Sequence, residues 1–185
     1  FAEQGVAYFN TLVNFSDPEL LARQLLHTWG PVLGLSEAEN ARAVDVGFRE
    51  LAAYEADIQR RAREVLEELE RDNRMGIVVL ARPYHHDPGL NHEILHEFSK
   101  LGYPVFSQST LPMDADLLER LFGDEVRSGA IRDPLEIQDV WKNSYSVSTN
   151  HKVWAAKFTA RHPNLVALEM SSFKCGHDAP IYGVI

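Results

Sequence analysis

The stretch Ile77-Val78-Val79-Leu80-Ala81 is a short, continuous apolar run, the pattern of a buried strand in a parallel sheet. A polar loop from Arg82 to Gly89 follows it, and the segment from about Leu90 to Leu101 predicts a helix that Gly102 ends. Tyr103-Pro104-Val105-Phe106-Ser107 predicts the next strand. Such a strand–helix–strand unit forms a right-handed crossover between parallel strands, so the sequence predicts an α/β fold.

The chain after this unit predicts further helices and a third strand. Asp114 to Phe122 is typical of a helix, and a second helix is predicted from a cap at Thr149 or Asn150 to about Arg161. Leu165-Val166-Ala167-Leu168-Glu169-Met170 predicts the third strand. Because short apolar runs alternate with helices, we expect residues 77–81, 103–107 and 165–169 to lie in one parallel sheet.

The chain before the first strand predicts helices alone. Asp17-Pro18 is an N-cap followed by proline at the first helical position, and Gly30-Pro31 is expected to stop that helix. Ser36 with Glu39 forms a capping box, after which apolar residues recur at three- and four-residue steps. One long amphipathic helix is therefore predicted from about residue 37 to 73.

These patterns divide the chain into two parts. Residues 1–74 form a helical portion, which we expect to pack on a small Rossmann-like, mainly parallel sheet lobe formed by residues 75–185. The chain begins at Phe1 without methionine and stops in the apolar run Ile181-Tyr182-Gly183-Val184-Ile185. We therefore expect a domain fragment whose lobe is truncated at its C-terminal end.

Composition excludes several classes of function. The 185 residues carry a formal net charge of −9, which disfavours nonspecific nucleic-acid binding because phosphates need a basic surface. No stretch of ~18 apolar residues predicts a membrane span, and no secretory signal opens the chain. One cysteine excludes an internal disulfide, so a cytoplasmic, reducing setting is expected.

The histidine loop, residues 82–92, is the first candidate site. It follows the carboxyl end of a strand and precedes a helix, and open α/β sheets bind ligands at that edge, where a helix N-terminus favours an anion. Asp87-Pro88-Gly89 is also a sequence typical of ordinary turns. A loop with a structural role and no ligand therefore stays open as the alternative. The candidate substrate-binding residues are Arg82, His85, His86, Asn91 and His92.

The segment His92-Glu93-Ile94-Leu95-His96 matches the H-E-x-x-H pattern of zinc peptidases, in which two histidines bind the metal and the glutamate activates water. The same helix must pack Ile94, Leu95 and Phe98 on the sheet, which leaves His96 at solvent or a neighbouring element. We therefore keep a zinc hydrolase as an alternative and expect no stoichiometric zinc.

Cys175 is the third candidate, because it lies between a strand and a predicted helix, where the helix dipole favours thiolate. It is either a free thiol or one ligand of a site completed elsewhere. A Cys–His hydrolase pair with His177 has no evident orienting group. The chain contains neither G-x-x-x-x-G-K-[ST] nor G-x-G-x-x-G, so its residues give nucleotide hydrolysis no support.

Three segments together resemble a known family. They are Arg82-Pro83-Tyr84-His85-His86-Asp87-Pro88-Gly89-Leu90-Asn91-His92, Leu101-Gly102-Tyr103-Pro104-Val105-Phe106 and Ser171-Ser172-Phe173-Lys174-Cys175-Gly176-His177-Asp178-Ala179-Pro180. They resemble the CoA-substrate-specific enzyme activases, large bacterial proteins that combine a 2-hydroxyacyl-CoA dehydratase activator with a dehydratase-subunit-like part. The resemblance is strongest over residues 76–185, and this chain resembles the dehydratase-like part.

The resemblance implies a function for the parent protein. An actin-like ATPase part with an iron–sulfur cluster passes an electron, with ATP hydrolysis, to a cluster in the dehydratase-like part. Cysteines of separate lobes hold that four-iron four-sulfur cluster, and Cys175 resembles one of those ligands, with Lys174 and His177 tuning the cluster through hydrogen bonds. The other cysteines are absent here, so we expect no cluster in this segment alone.

We therefore expect a segment of an activase/dehydratase-like iron–sulfur protein, acting in ATP-dependent electron transfer and reductive chemistry on a CoA ester. Its expected partners are the activator ATPase part or subunit and a CoA-ester substrate, and the isolated segment is expected to be inactive. The alternatives are a non-catalytic interaction or electron-transfer module and the zinc hydrolase. We also expect the histidine loop and Cys175 to face one cleft at the carboxyl edge of the sheet.

Overall fold

The computed structural model describes residues 4–144, 146–171, 176 and 179–185. Two 3-10 turns, Pro83–His86 and Ala179–Ile181, accompany the helices and strands of this described part. These are α1 (Pro18–Leu33), α2 (Glu37–Asp72), β1 (Gly76–Leu80), α3 (Pro88–Asn91), α4 (Ile94–Lys100), β2 (Val105–Ser107), α5 (Ala115–Ser128), α6 (Val147–Arg161) and β3 (Leu165–Glu169).

The chain forms two compact units, Phe1–Ala56 and Asp57–Ile185, and α2 contributes residues to both. The proposed division into a helical portion, residues 1–74, and a lobe, residues 75–185, stays a prediction.

The first unit contains α1 and the first half of α2. The side chain of Asp17 accepts a hydrogen bond from the Leu20 backbone N–H at 2.9 Å, as expected of an N-cap. The helix does not stop at Gly30-Pro31: it continues to Leu33 and ends at Gly34, which has a φ of 67°. Proline so close to the end of a helix removes only one of the last backbone hydrogen bonds, and the left-handed glycine supplies the actual stop.

The capping box at the start of α2 is present. The Ser36 backbone N–H donates to Glu39 Oε2 at 2.9 Å, and the Glu39 backbone N–H donates to Ser36 Oγ at 3.3 Å. Within the same unit, Asn40 Nδ2 donates to the Ala22 carbonyl of α1 at 2.8 Å. The predicted long helix is confirmed, since α2 spans Glu37–Asp72.

The sheet belongs to the second unit and has the order β2-β1-β3, with every pairing parallel. Ile77 of β1 lies opposite Val105 of β2 on one side and Val166 of β3 on the other. All five residues of β1 are buried, as expected of a central strand. The prediction of one parallel sheet from the three apolar runs is confirmed, and the fold is α/β.

Helices cover the two faces of the sheet unequally. Val78 and Leu80 point into the larger core, which they share with α5, α6 and the second half of α2, including Leu66 and Phe158. The opposite face, with Ile77, Val79 and Ala81, packs mainly against Leu95 and Phe98 of α4. This inequality places most of the buried apolar area on one side of β1.

The prediction of one helix over Leu90 to Leu101 is wrong, because the helix is interrupted. His92 and Glu93 both have left-handed backbones, with φ of 53° and 58°, so α3 ends at Asn91 and α4 begins at Ile94. The Asn91 side chain donates to the His85 carbonyl at 2.9 Å and ties the end of α3 to the 3-10 turn Pro83–His86. A tertiary contact of this kind leaves no trace in apolar periodicity.

Two helix boundaries also differ from expectation. α5 continues through Gly123 to Ser128 and ends at Gly129, which has a φ of 75°. α6 is capped by Ser146, whose Oγ accepts from the Thr149 backbone N–H at 3.4 Å, so it starts earlier than predicted. In the part of the chain that the structure describes, no helix combines the length and the apolar character that crossing a membrane requires.

Candidate functional site

The carboxyl edge of the sheet, where β1, β2 and β3 end at Leu80, Ser107 and Glu169, is the candidate site. Ala81 follows β1, and its backbone N–H donates to Gln108 Oε1 at 3.1 Å. The other end of that amide, Gln108 Nε2, donates to the Ser148 carbonyl in the first turn of α6 at 3.5 Å. The buried Gln108 side chain therefore holds the ends of β1 and β2 and the start of α6 together.

Arg82 extends from the end of β1 to the start of α6. Its backbone N–H donates to His85 Nδ1 at 3.2 Å, and its Nη2 donates to Thr149 Oγ1 at 3.3 Å. Thr149 is buried and itself belongs to the first turn of α6, where Ser146 caps the helix. The guanidinium is thus positioned beside a helix N-terminus, and both groups favour negative charge.

His85 is a buried part of the loop framework. Because its Nδ1 accepts a hydrogen bond from the Arg82 N–H, the neutral ring carries its proton on Nε2. The His85 and Tyr84 rings lie 4.4 Å apart between centroids. The His85 carbonyl accepts from Asn91 Nδ2, and both residues are more than nine-tenths buried. These contacts fix the backbone of the histidine loop and keep His85 away from solvent.

His86 lies on the side of the loop nearest β2. Its Nε2 is 3.2 Å from Ser107 Oγ, which in turn is 3.0 Å from Ser109 Oγ. The imidazole is exposed, so this short polar chain lies at the surface where β2 ends. His86 can therefore hydrogen-bond a ligand at this edge, in contrast to the buried His85.

A buried lysine, Lys152, lies in α6 one turn after Thr149. Lys152 is 1% exposed, and its Nζ lies 3.3 Å from Glu169 Oε1 at the end of β3. The same ammonium is 5.7 Å from the centroid of the Tyr182 ring, and Tyr182 Oη hydrogen-bonds Ser171 Oγ. A buried ammonium is stable only when it is paired and hydrogen-bonded, so this network fixes α6 against β3.

A small cavity adjoins the start of α6. It has a volume of about 60 Å³ and lies between Ser146, Thr149 and Pro180. That is room for about two water molecules. The first turn of α6 carries no acidic residue, so the positive end of the helix is not neutralised by its own side chains.

The candidate residues from the sequence are brought together only in part. Arg82, His85 and Asn91 form one connected group, and His86 lies beside it at the end of β2. His92 is exposed and holds a left-handed backbone at the break between α3 and α4. Lys174, Cys175 and His177 lie outside the described residues, so the shared cleft with Cys175 stays a prediction.

The break at His92 also removes the geometric basis of the zinc alternative. An H-E-x-x-H zinc site places both histidines one turn apart on a single helix. His92 lies before the helix that carries His96, and the intervening Glu93 is left-handed as well. Among the residues that the structure describes, no group of three or more His, Cys, Asp or Glu side chains could hold a metal ion.

Several residues of this edge were not predicted from the sequence. They are Gln108, Thr149 as a partner of Arg82, Lys152 and Tyr182. Lys152 left no signal, since it follows the polar residues Thr149-Asn150-His151 and precedes the apolar residues Val153-Trp154-Ala155. The other side chains are ordinary polar residues whose roles depend on tertiary placement.

The comparison with known families identifies the chain's relatives. A family model described as CoA enzyme activase uncharacterised domain matches residues 1–111 of the 185. The chain belongs to this family. The CoA enzyme activase match includes both N-terminal helices, the histidine loop and β2, and confirms the resemblance inferred from the motifs. Thr149, Lys152 and Cys175 lie beyond the matched residues. No curated protein and no solved structure matches the chain.

Proposed function

We propose that this CoA enzyme activase domain takes part in ATP-dependent electron transfer and reductive chemistry on a CoA ester, as a segment of a larger activase/dehydratase-like protein. Its own contribution is to bind an anionic part of the CoA ester at the carboxyl edge of the sheet. The observation that carries this proposal is the bond between Arg82 Nη2 and Thr149 Oγ1, which places a guanidinium at the N-terminus of α6.

The chemistry of this edge suits a phosphate or a thioester oxygen. CoA carries several phosphate charges, and arginine side chains and helix N-termini are the groups that most often bind them. The edge also offers the exposed imidazole of His86, which is within reach of Ser107 Oγ. In this arrangement Arg82 orients the anion, Gln108 holds the end of β1 to the start of α6, and His86 can hydrogen-bond the ligand.

An iron–sulfur cluster does not fit the donors of this chain. A four-iron four-sulfur cluster usually takes four cysteine thiolates, and the sequence contains one. The described residues supply no group of three metal-ligating side chains to replace the missing cysteines. We propose that Cys175 supplies one ligand in the full-length protein and that other segments supply the rest.

The ATP-dependent step belongs, in this proposal, to the activator ATPase part or subunit. The chain carries neither of the glycine-rich phosphate-binding motifs that nucleotide hydrolysis uses. The activator is therefore the expected partner of this domain.

A second candidate function is a non-catalytic interaction module. The first unit exposes several large apolar side chains, and Leu12, Tyr8 and Phe15 are 85%, 69% and 67% exposed. Exposed apolar residues in such number are typical of surfaces that contact other proteins. This candidate predicts docking to the activator with no binding of a CoA ester.

Isothermal titration of the 185-residue chain with acetyl-CoA separates the two. We expect saturable binding that weakens about tenfold in Arg82→Gln, the effect of one lost charge-assisted hydrogen bond. Arg82→Lys should recover part of the affinity. Arg71→Gln is the matched control, because Arg71 is exposed on α2 and forms an ion pair with its neighbour Asp72. Absence of binding, or equal binding by Arg82→Gln and the wild type, would contradict the proposal.

A further inference from the structure

The second unit contains a groove along the free edge of β2, which we call the β2 groove. It has a volume of about 540 Å³ and lies between α4 and the second half of α2. Its apolar lining includes Ile58, Val65, Leu95 and Val105. Small-molecule sites typically have volumes of about 300–1,000 Å³ with mostly apolar walls, so the β2 groove has the size and lining of a ligand site.

The groove exists because β2 is a short edge strand. Phe106 faces the core on the α2 side of the sheet, and Val105 faces the α4 side. In the described part of the chain, β1 alone pairs with β2. The helices above and below therefore overhang the strand edge, and the space between them is not filled by a further strand.

The titratable side chains that line the groove are all of the basic type. The net charge of the chain is −9, yet the titratable side chains that line the groove are Arg61, His86 and His96, and no carboxylate is among them. Glu64 lies outside the groove lining but contacts Arg61, whose Nη1 donates to Glu64 Oε2 at 2.9 Å. A guanidinium has five N–H donors, so this bond leaves Arg61 able to contact an anion at the groove mouth.

The edge of β2 is closed to an added strand at its carboxyl end, at Ser107. The Ser107 backbone N–H donates to Thr110 Oγ1 at 3.1 Å. The Ser107 carbonyl accepts from the same hydroxyl at 3.0 Å and from the Thr110 backbone N–H at 3.0 Å. Strand addition needs these outward backbone groups, so an extended peptide is disfavoured as the occupant.

We propose that the β2 groove binds a small organic anion with an apolar body, of the class of medium-chain carboxylates. The apolar body lies against Val65, Leu95 and Val105, and the carboxylate lies at the mouth beside Arg61 and the two histidines. This inference stands on the groove alone and does not rest on the binding of a CoA ester at the carboxyl edge.

The test is a titration of the ¹⁵N-labelled 185-residue chain with hexanoate, followed by NMR. We expect saturable shifts of the Val65, Leu95 and Val105 amides, and weaker shifts with hexanamide, which has the same apolar body without the charge. Two variants, each with a matched control, locate the site. Ser99→Trp obstructs the groove from α4, and Arg61→Gln removes its permanent charge.

Each variant has a matched control. Ser128→Trp changes a serine that, like Ser99, donates its hydroxyl to a backbone carbonyl of its own helix. Arg60→Gln changes the neighbouring arginine, which is 61% exposed, as Arg61 is, and does not line the groove. We expect Ser99→Trp to abolish binding and Arg61→Gln to weaken it about threefold to fivefold, while both controls bind as the wild type does.

Three results would overturn the inference. They are the absence of saturable shifts at the groove, equal affinity for hexanamide and hexanoate, and equal losses in the test and control variants. The groove adjoins the carboxyl edge and shares His86 and Ser107 with it. The variants still separate the two sites, because Arg61 and Ser99 line the groove and do not belong to the carboxyl edge.

Discussion

His162, directly after α6, and Glu70 of α2 form a hydrogen-bonded pair, with 2.7 Å between His162 Nε2 and Glu70 Oε1. His162 Nδ1 accepts from the Asn164 backbone N–H at 3.2 Å, so the neutral ring carries its proton on Nε2 and donates it to the carboxylate. Arg120 of α5 also binds Glu70, and the imidazole stacks on Phe158. The pair therefore links α2, α5 and the end of α6.

This pair makes stability depend on pH. Burial lowers the pKa of His162 below its ordinary 6.5, and the hydrogen bond from Arg120 lowers the pKa of Glu70 below 4.5. Below pH 6.5 the unfolded chain protonates His162 before the folded chain does, so the free energy of unfolding falls as the pH falls. The Glu70 contribution, present above its ordinary pKa, is lost at still lower pH, in the same direction.

Urea unfolding at pH 7.5 and 5.5 checks this prediction. His162→Gln keeps hydrogen-bonding groups but does not titrate, so we expect a smaller loss of stability on acidification than in the wild type. His151→Gln is the control, because His151 is exposed on the same helix. An unchanged pH dependence in His162→Gln would show that another group causes it.

The packing of α2 on the sheet is the second prediction. Leu66 is 1% exposed within the larger core, so Leu66→Ala should lower the free energy of unfolding by about 2–5 kcal/mol. Leu101→Ala makes the same change at a side chain that is 72% exposed and should cost less than about 0.5 kcal/mol. Thermal or urea unfolding measures both, and similar costs would mean that α2 does not pack as described.

The third prediction is that the chain does not bind stoichiometric zinc. His92 and His96 lie on either side of a helix break, so they cannot form the two-histidine face that H-E-x-x-H sites use. Elemental analysis of protein purified without a histidine tag should find far less than one zinc per chain. One zinc per chain that His96→Ala removes and His151→Ala retains would reverse this conclusion.

The fourth prediction concerns Cys175. Because one thiolate cannot hold a cluster, anaerobic addition of iron and sulfide to the 185-residue chain should produce no lasting visible absorbance. The same treatment of the full-length protein should produce an absorbance that Cys175→Ala reduces. Equal iron content with and without this substitution would leave Cys175 as an ordinary thiol.

Much of the fold was predictable because apolar residues report burial directly. The runs 77–81 and 165–169 correspond to β1 (Gly76–Leu80) and β3 (Leu165–Glu169), and the periodicity after Ser36 predicted the long helix almost to the residue. The wrong predictions are helix boundaries at which a local sequence pattern suggested one end point and nearby residues set another. Gly30-Pro31 suggested a stop, but the left-handed Gly34 ends the helix. The periodicity from Leu90 concealed the break at His92, which the Asn91–His85 contact accompanies.

The candidate site was predictable only as a place on the sheet. Arg82, His85 and His86 were found because they follow a buried strand, which locates the carboxyl edge. The division of roles between a buried His85 and an exposed His86 depends on one hydrogen bond, Arg82 N–H to His85 Nδ1. Thr149 lies 67 residues from Arg82 in the chain, so no spacing rule could connect them.

Hydrogen exchange of the chain with and without acetyl-CoA tests the central claim most directly. Binding at the carboxyl edge should slow exchange of backbone amides in the histidine loop and in the first turn of α6, Val147 to Asn150. Amides of the first unit, such as those of α1, should exchange as before, and Arg82→Gln should remove the protection. Protection confined to the first unit, or protection that survives Arg82→Gln unchanged, would contradict the account.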